Sequence, residues 1–266
     1  MKAVLRLAML LPFAASAQEY PEKPVQIVLP LQVGSASDIA VRVFAERLGE
    51  GLKQPFVVEN VTGAAGLIGA ERLAKSRPDG YTLAALNNSI LTILPNIQRE
   101  RVKFNPFEDF VPIHGIANIP TLLGVNEALP VRNVRELIEH AKAKPGELNY
   151  ATGGPGSPQH LAGEMFMAMS GTRMTQVPYK GATAAAAGRA TTIPRGSRSS
   201  RRKGTPAPVL SRLRTEAAKV LPGLKERLEK SGLELWAVPA SDLPNVIKED
   251  HARWQRVVRE ANIRAE

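Results

Sequence analysis

Residues Asn149–Met169 read NYATGGPGSPQHLAGEMFMAM. The stretch begins as a short strand, turns through Gly153, Gly154 and Gly156, and enters a helix near Ser157–His160. A strand, a glycine loop and a helix start in that order point backbone N–H groups at one spot, where the helix dipole favours negative charge. Such a device captures an anion without a charged side chain. Most glycine loops before helices are plain turns, so the rest of the chain has to decide.

The preceding chain repeats the pattern. Val25–Leu29 (VQIVL) reads as a buried strand stopped by Pro30, and the loop Leu31–Ser37 leads to Asp38 and a helix with Val41, Phe44, Leu48 and Leu52 on one face. Asp38 or Ser37 suits the N-cap. Phe56–Glu59 is a second strand, Gly63–Gly69 a glycine turn opening a helix to Ser76, and Tyr81–Leu86 a third strand ending in Asn87-Asn88-Ser89. This alternation predicts an α/β fold with a parallel sheet, whose ligands sit at the C-terminal strand ends. Val111–Ile116 and Thr121–Val125 read as further strands, and Asn133 with Glu136 as a capping box for a helix over Val134–Lys144. Thr175–Val177 is a strand before the turn Pro178–Gly181. The tail gives helices over Pro208–Leu221, Leu224–Lys230 and from Ser241-Asp242 to Glu260, with a strand over Leu233–Val238.

The first residues have the grammar of an export signal: a positive start at Lys2 and Arg6, an apolar run over Leu7–Ala15, and the motif Ala15-Ser16-Ala17. Cleavage is expected after Ala17, placing the protein in the periplasm. Absence of cysteine excludes disulfides and thiolate chemistry. The net charge of +10 is local: Arg189–Lys203 (RATTIPRGSRSSRRK) holds six basic residues and no acid. A general nucleic-acid-binding role is therefore not expected. The segment has no apolar period and reads as an irregular junction.

Catalytic and cofactor signatures are missing. There is no G-x-S-x-G, Walker A or H-E-x-x-H motif, and Gly63, Gly66 and Gly69 have the wrong spacing for a dinucleotide fingerprint. His114, His140, His160 and His251 lack partners at metal-ligand spacing, so no metal, cofactor or enzymatic activity is expected. His160 at a helix start is either a neutral hydrogen-bonding group or a ligand contact. Asp38 is either a cap or a cleft residue. Ser35, Ser37, Thr152 and Ser157 are either turn hydroxyls or ligand donors. Tyr179 is either core or cleft wall, and Lys180 a solvated charge.

Taken together these residues resemble a family, the periplasmic receptors of tripartite tricarboxylate transporters (Bug-type proteins). The matching pieces are Tyr20-Pro21-x-Lys23-Pro24, Gly34–Ile39, Val57–Asn60 with Gly63–Ala70, Pro78–Leu83, and above all Tyr150–Glu164 followed by Val177–Gly181. The resemblance implies a two-lobed, type II periplasmic-binding-protein fold that closes on a small carboxylate, works with membrane subunits of a transporter and is a monomer. It implies ligand contacts from Gly34, Ser35, Ser37, Asp38, Asn87, Ser89, Thr152, Gly153, Gly154, Ser157, Gln159, His160 and Tyr179.

Two departures stand out. The first loop has Leu31-Gln32-Val33 and a single Gly34 where the family is richer in Pro and Gly. Over 189–203, where relatives continue the second lobe and cross back, this chain has the basic run instead, which reads as an internal deletion. The expected division is lobe 1 over 18–112 plus 204–266 and a shortened lobe 2 over 113–188. Two other outcomes stay open: a defective receptor that binds little, and an interaction protein that uses the 189–203 segment on acidic lipid or nucleic acid.

Overall fold

The computed structural model describes residues 20–119, 122–179, 191–192, 197–260 and 263. The expected export signal and Lys180 lie outside them. In chain order the strands are β1 (Val25–Leu29), β2 (Phe56–Asn60), β3 (Thr82–Asn87), β4 (Phe110–Asn118), β5 (Leu123–Gly124), β6 (Asn149–Thr152), β7 (Thr175–Pro178), β8 (Thr191–Thr192), β9 (Ser197–Arg202) and β10 (Glu234–Leu235). The helices are α1 (Ala36–Leu52), α2 (Leu67–Lys75), α3 (Leu94–Ile97), α4 (Val134–Ala143), α5 (Pro158–Ser170), α6 (Ala207–Val220), α7 (Lys225–Glu229) and α8 (Leu243–Glu260), with a π-helical turn over Ser89–Ile93.

Six strands form one sheet in the order β10-β4-β9-β3-β1-β2. β1 is parallel to both β2 and β3, with Ile27 opposite Val58 and Leu83. Side chains alternate across the sheet. Ile27, Leu83 and Ala85 therefore face α1 and α6, packing against Phe44, Leu48 and Leu213, while Val28, Ala84 and Leu86 face α2 and the π turn, packing against Leu67, Leu73 and Ile90. A sheet buried on both faces explains why its strands read as unbroken apolar runs. The remaining strands make two pairs, β6 parallel to β7 and β5 antiparallel to β8, and α5 packs against β6 and β8. α8 spans the groups: Trp254, Val257 and Val258 pack on Ile93 of the π turn and Leu161 of α5.

The basic run departs from expectation. Ser197–Arg202 is a strand, not an irregular junction, and it lies inside the main sheet, antiparallel to β3 and β4. Thr191–Thr192 also pair, with Leu123 and Gly124. The other residues of 189–196 are outside the described set. The physical reason is backbone satisfaction. Without β9, the facing edges of β3 and β4 would leave a row of buried N–H and C=O groups unpaired, each a cost of about 1–3 kcal/mol. β-propensity differences span only ~1 kcal/mol, so pairing wins over an Arg/Ser sequence. The chain does cross back, through this strand. β4 also runs continuously past residues 112 and 113, where the division between lobes was expected.

Smaller corrections follow the same logic. The N-cap of α1 is Ser35, not Ser37 or Asp38: its hydroxyl oxygen accepts from the Asp38 N–H at 3.2 Å. The last strand is confined to Glu234–Leu235, and within α8 Leu243 and Ile247 are buried whereas Val246, Trp254 and Val258 are half-buried. The Asn133–Glu136 capping box forms as expected, with Asn133 Oδ1 accepting from the Glu136 N–H at 3.0 Å.

Candidate functional site

Two loops at the C-terminal ends of β1 and β6 are built on one plan. The first reads Gly34-Ser35-Ala36-Ser37-Asp38 and the second Gly156-Ser157-Pro158-Gln159-His160. Each glycine has a left-handed backbone, φ +74° and +77°, a conformation that glycine adopts without a Cβ penalty. Each serine is an N-cap with nearly identical angles, φ −69° and ψ 157° at Ser35, φ −68° and ψ 156° at Ser157. Each serine oxygen accepts from the N–H three residues on, Asp38 at 3.2 Å and His160 at 3.3 Å. Those third residues return the favour: Asp38 Oδ2 accepts from Gly34 N–H at 3.0 Å, and His160 Nδ1 from Gly156 N–H at 3.1 Å. Both are extended capping boxes.

The closure of each box determines which donors remain. In the second loop the N–H groups of Gly154, Gly156, Ser157 and His160 all have protein partners. That corrects the expectation of a cluster of free amides: among the described residues, the N–H groups of Gly153 and Gln159 are the ones left open there, and those of Ala36 and Ser37 at the first loop. Open N–H groups in the first turn of a helix carry the positive end of its dipole. Pro158 removes a donor that would have had no partner.

Asp38 is committed to structure. Its carboxylate is almost fully buried and accepts from Arg42 Nε at 3.0 Å and Asn60 Nδ2 at 2.9 Å besides Gly34. Burial alone would raise its pKa, but the bonds from Arg42, Gly34 and Asn60 outweigh it and hold the carboxyl below its ordinary value. Asn60 also donates to the Leu31 carbonyl at 2.9 Å, which ties the first loop to the end of β2. For His160 burial wins and lowers its pKa, against an opposing pull from Glu164. With Nδ1 accepting, the proton sits on Nε2, 3.6 Å from Glu164 Oε1. Glu164 in turn accepts from Tyr150 Oη at 2.7 Å, and burial followed by Glu164 pushes the Tyr150 hydroxyl pKa up.

The second loop is tied to the π turn that follows β3. Ser89 Oγ donates to the Gly156 carbonyl at 2.9 Å in a buried contact. Asn87 Oδ1 accepts from Ile90 N–H, starting the π turn, and Thr92 Oγ1 bonds both the Asn88 carbonyl and Asp250 of α8. Thr152 is buried and accepts from Gln176 Nε2 at 2.8 Å. Tyr179 is half-buried, with its N–H on the Thr152 carbonyl at 2.9 Å. The site residues expected from the sequence thus fall at strand ends of the six-stranded sheet and of the β6–β7 pair, and Ser89, Gly154, Ser157, Gln159 and His160 cluster around Gly156. Sequence reasoning passed over Asn88, Asn60 and Arg42; the repeated Gly-Ser pair four residues before Asp38 and His160 was the available signal for the twin loops. No group of three or more His, Cys, Asp or Glu among the described residues could hold a metal. No described helix is long and apolar enough to cross a membrane.

Comparison with known proteins fits this geometry. Residues 40–191 match the family model described as the tripartite tricarboxylate transporter family receptor. The protein BugT of Bordetella pertussis is 37% identical over 171 residues, 62% of this chain and 51% of that protein; the chain spans about half the length of the curated relatives it matches in this way. A protein of the tcbD–tcbE intergenic region of Pseudomonas sp. strain P51 aligns more fully, 26% identical over 299 positions with 92% of this chain and 88% of the relative. Among solved structures, R. palustris Rpa4515 with adipate superposes with a TM-score of 0.86 at 28% identity, covering 92% of this chain and 99% of that one. The fold is the two-lobed α/β fold of periplasmic binding proteins, and the chain belongs to the tripartite tricarboxylate transporter receptor family.

Proposed function

We propose that the protein is a periplasmic solute-binding receptor that captures a small carboxylate between its two capped loops and delivers it to the membrane subunits of a tripartite tricarboxylate-type transporter. The reading includes export with cleavage after Ala17, a monomeric state, and no catalytic step. The observation that carries it is the pair of matched loops, Gly34–Asp38 and Gly156–His160, each opening unpaired helix N–H groups at the end of a strand. Of the side chains proposed for the ligand, Asp38 acts through the first loop's shape, since its oxygens are already engaged. The relative Rpa4515 carries adipate, a dicarboxylate, in its solved structure, which supports the ligand class. A thermal-shift screen against mono-, di- and tricarboxylates tests this: a ligand at 100 times its Kd adds ~2.7 kcal/mol. A cooperative melt that no carboxylate moves refutes the reading.

A weakened receptor is the second reading, and two observations favour it. The 299 aligned positions shared with the Pseudomonas relative exceed the 266 residues of this chain, so that relative has residues with no counterpart here. The second lobe also exposes Leu122, Leu123, Val125 and Met169, apolar surface of the kind further strands would cover. An interaction role for the basic segment is disfavoured, because the backbone of Ser197–Arg202 is engaged on both sides within the sheet.

A further inference from the structure

The first loop is gripped at both ends by three side chains that are also bonded to one another. Asn60, the last residue of β2, donates through Nδ2 to the Leu31 carbonyl and to Asp38 Oδ1, both at 2.9 Å. Asp38 Oδ2 accepts from the Gly34 N–H at 3.0 Å. Arg42, one turn further along α1, closes the ring: its Nε donates to both Asp38 oxygens at 3.0 Å and its Nη2 to Asn60 Oδ1 at 2.7 Å. Both hydrogens and the oxygen of the Asn60 amide are thereby used. Leu31 and Gly34, which bound the segment leading into the α1 cap, are fixed by one ring.

Charge gives Arg42 a second task. Asp38 is ionised, its carboxyl held below the ordinary pKa, and it lies in the first turn of α1 beside the open N–H groups of Ala36 and Ser37. A bare carboxylate there repels another carboxylate. Arg42 bonds both Asp38 oxygens and supplies the opposite charge. His160, in the corresponding place of the second loop, has no anionic form to cancel. The Arg42 side chain is 47% exposed against 4% for Asp38, so it can be replaced with little loss of packing.

We propose that Arg42 and Asn60 are positioning residues for ligand binding: Asn60 sets the place of the first loop, and Arg42 holds Asp38 and cancels its charge so that the Ala36 and Ser37 N–H groups can donate to a carboxylate. The inference rests on the receptor reading above. Both residues act through Asp38 and the loop backbone, not through contact with the ligand.

The test is calorimetric titration of the purified protein with propionate, adipate, malate and citrate, paired with peptide-resolved hydrogen exchange. Asn60→Ala removes the tether, Arg42→Gln removes the positive charge, and Arg42→Gln with Asp38→Asn removes both charges together. For a probe that wild type binds, each single variant is expected to weaken binding by about tenfold or more, the loss typical of removing a group that orients a ligating one. Exchange is expected to rise over residues 31–38 and to match wild type over 153–160. The double variant is expected to bind more tightly than Arg42→Gln alone, a recovery that a purely structural role does not produce. Unchanged affinity in the single variants overturns the inference and leaves the receptor reading standing. So does a double variant that binds no better than Arg42→Gln, or exchange that rises equally in both loops. Binding of none of the four probes by wild type overturns the receptor reading and the inference with it. Should Asn60→Ala fail to fold, Arg42→Gln and the double variant decide.

Discussion

Gly156→Ala is the substitution that most directly tests how the second loop is held. Gly156 has φ +77°, and a Cβ built there would lie 2.5 Å from Leu94 Cδ2 and 3.5 Å from Ile97 Cδ1. Two costs follow. The left-handed backbone strains alanine by about 1–2 kcal/mol, and forcing Leu94 aside in a packed site adds about 1–3 kcal/mol. Gly146→Ala separates them: Gly146 has φ +84° with nothing within 4 Å of its Cβ, so it should lose the strain contribution alone. Gly34→Ala, at φ +74° and equally open, is a second control on the first loop. Urea denaturation of all three against wild type is expected to show Gly156→Ala as the outlier, at roughly twice the loss of the other two. Equal losses at positions 156 and 146 would refute the account of the turn as wedged against Leu94.

Ser35→Ala and Ser157→Ala each remove one N-cap acceptor and should each cost about 1 kcal/mol in chemical denaturation; a large inequality between them would contradict the equivalence of the two caps. The pH dependence follows from His114, His160 and His251, whose pKa values burial lowers from the ordinary 6.5. The unfolded chain protonates these groups first, so their contribution is fully present above about 6.5 and is lost as pH falls below it towards the folded values. Denaturation midpoints measured from pH 7.5 to 5 should therefore fall, and His160→Gln should flatten part of that slope. Within β9, Arg201 is in register with buried Leu83 and with Val111. Arg201→Val is expected to stabilise the sheet by about 1 kcal/mol, read as a higher melting temperature; a lower one would oppose the view that pairing alone recruits this strand.

What the sequence revealed depended on how local each cause was. β1 to β3 were legible because apolar runs, glycine turns and helix periodicity lie within a few residues of one another. The same holds for the Asn133–Glu136 box and for Ser157 opening α5. β9 was not legible, because nothing within Ser197–Arg202 favours a strand; the cause is a pair of open edges on β3 and β4, distant in the chain. The use of Asp38 was hidden for a similar reason. Its partner Asn60 is 22 residues away, on the next strand. The second loop's spare amides were overcounted because side chains that reach back, Thr152 to Gly154 and His160 to Gly156, leave no trace in composition.

The route by which the second loop is held bears on what a shortened second lobe would do. The β6–β7 pair is small, and if it alone positioned Thr152–His160, loss of neighbouring strands would displace the loop. The contacts run elsewhere. Ser89 bonds the Gly156 carbonyl, Leu94 fills the space beside Gly156, Ile93 packs on Leu161, and α8 covers that junction with Trp254 while Asp250 is bonded to Thr92. Each of those groups except Leu161 and Gly156 belongs to the π turn, α3 or α8, which rest on the six-stranded sheet. That sheet is closed by β9, so the returning strand fixes the loop indirectly. Leu122, Leu123 and Val125, on β5 and its flanks, are exposed, and β5 pairs with β8, which also touches β6 and α5.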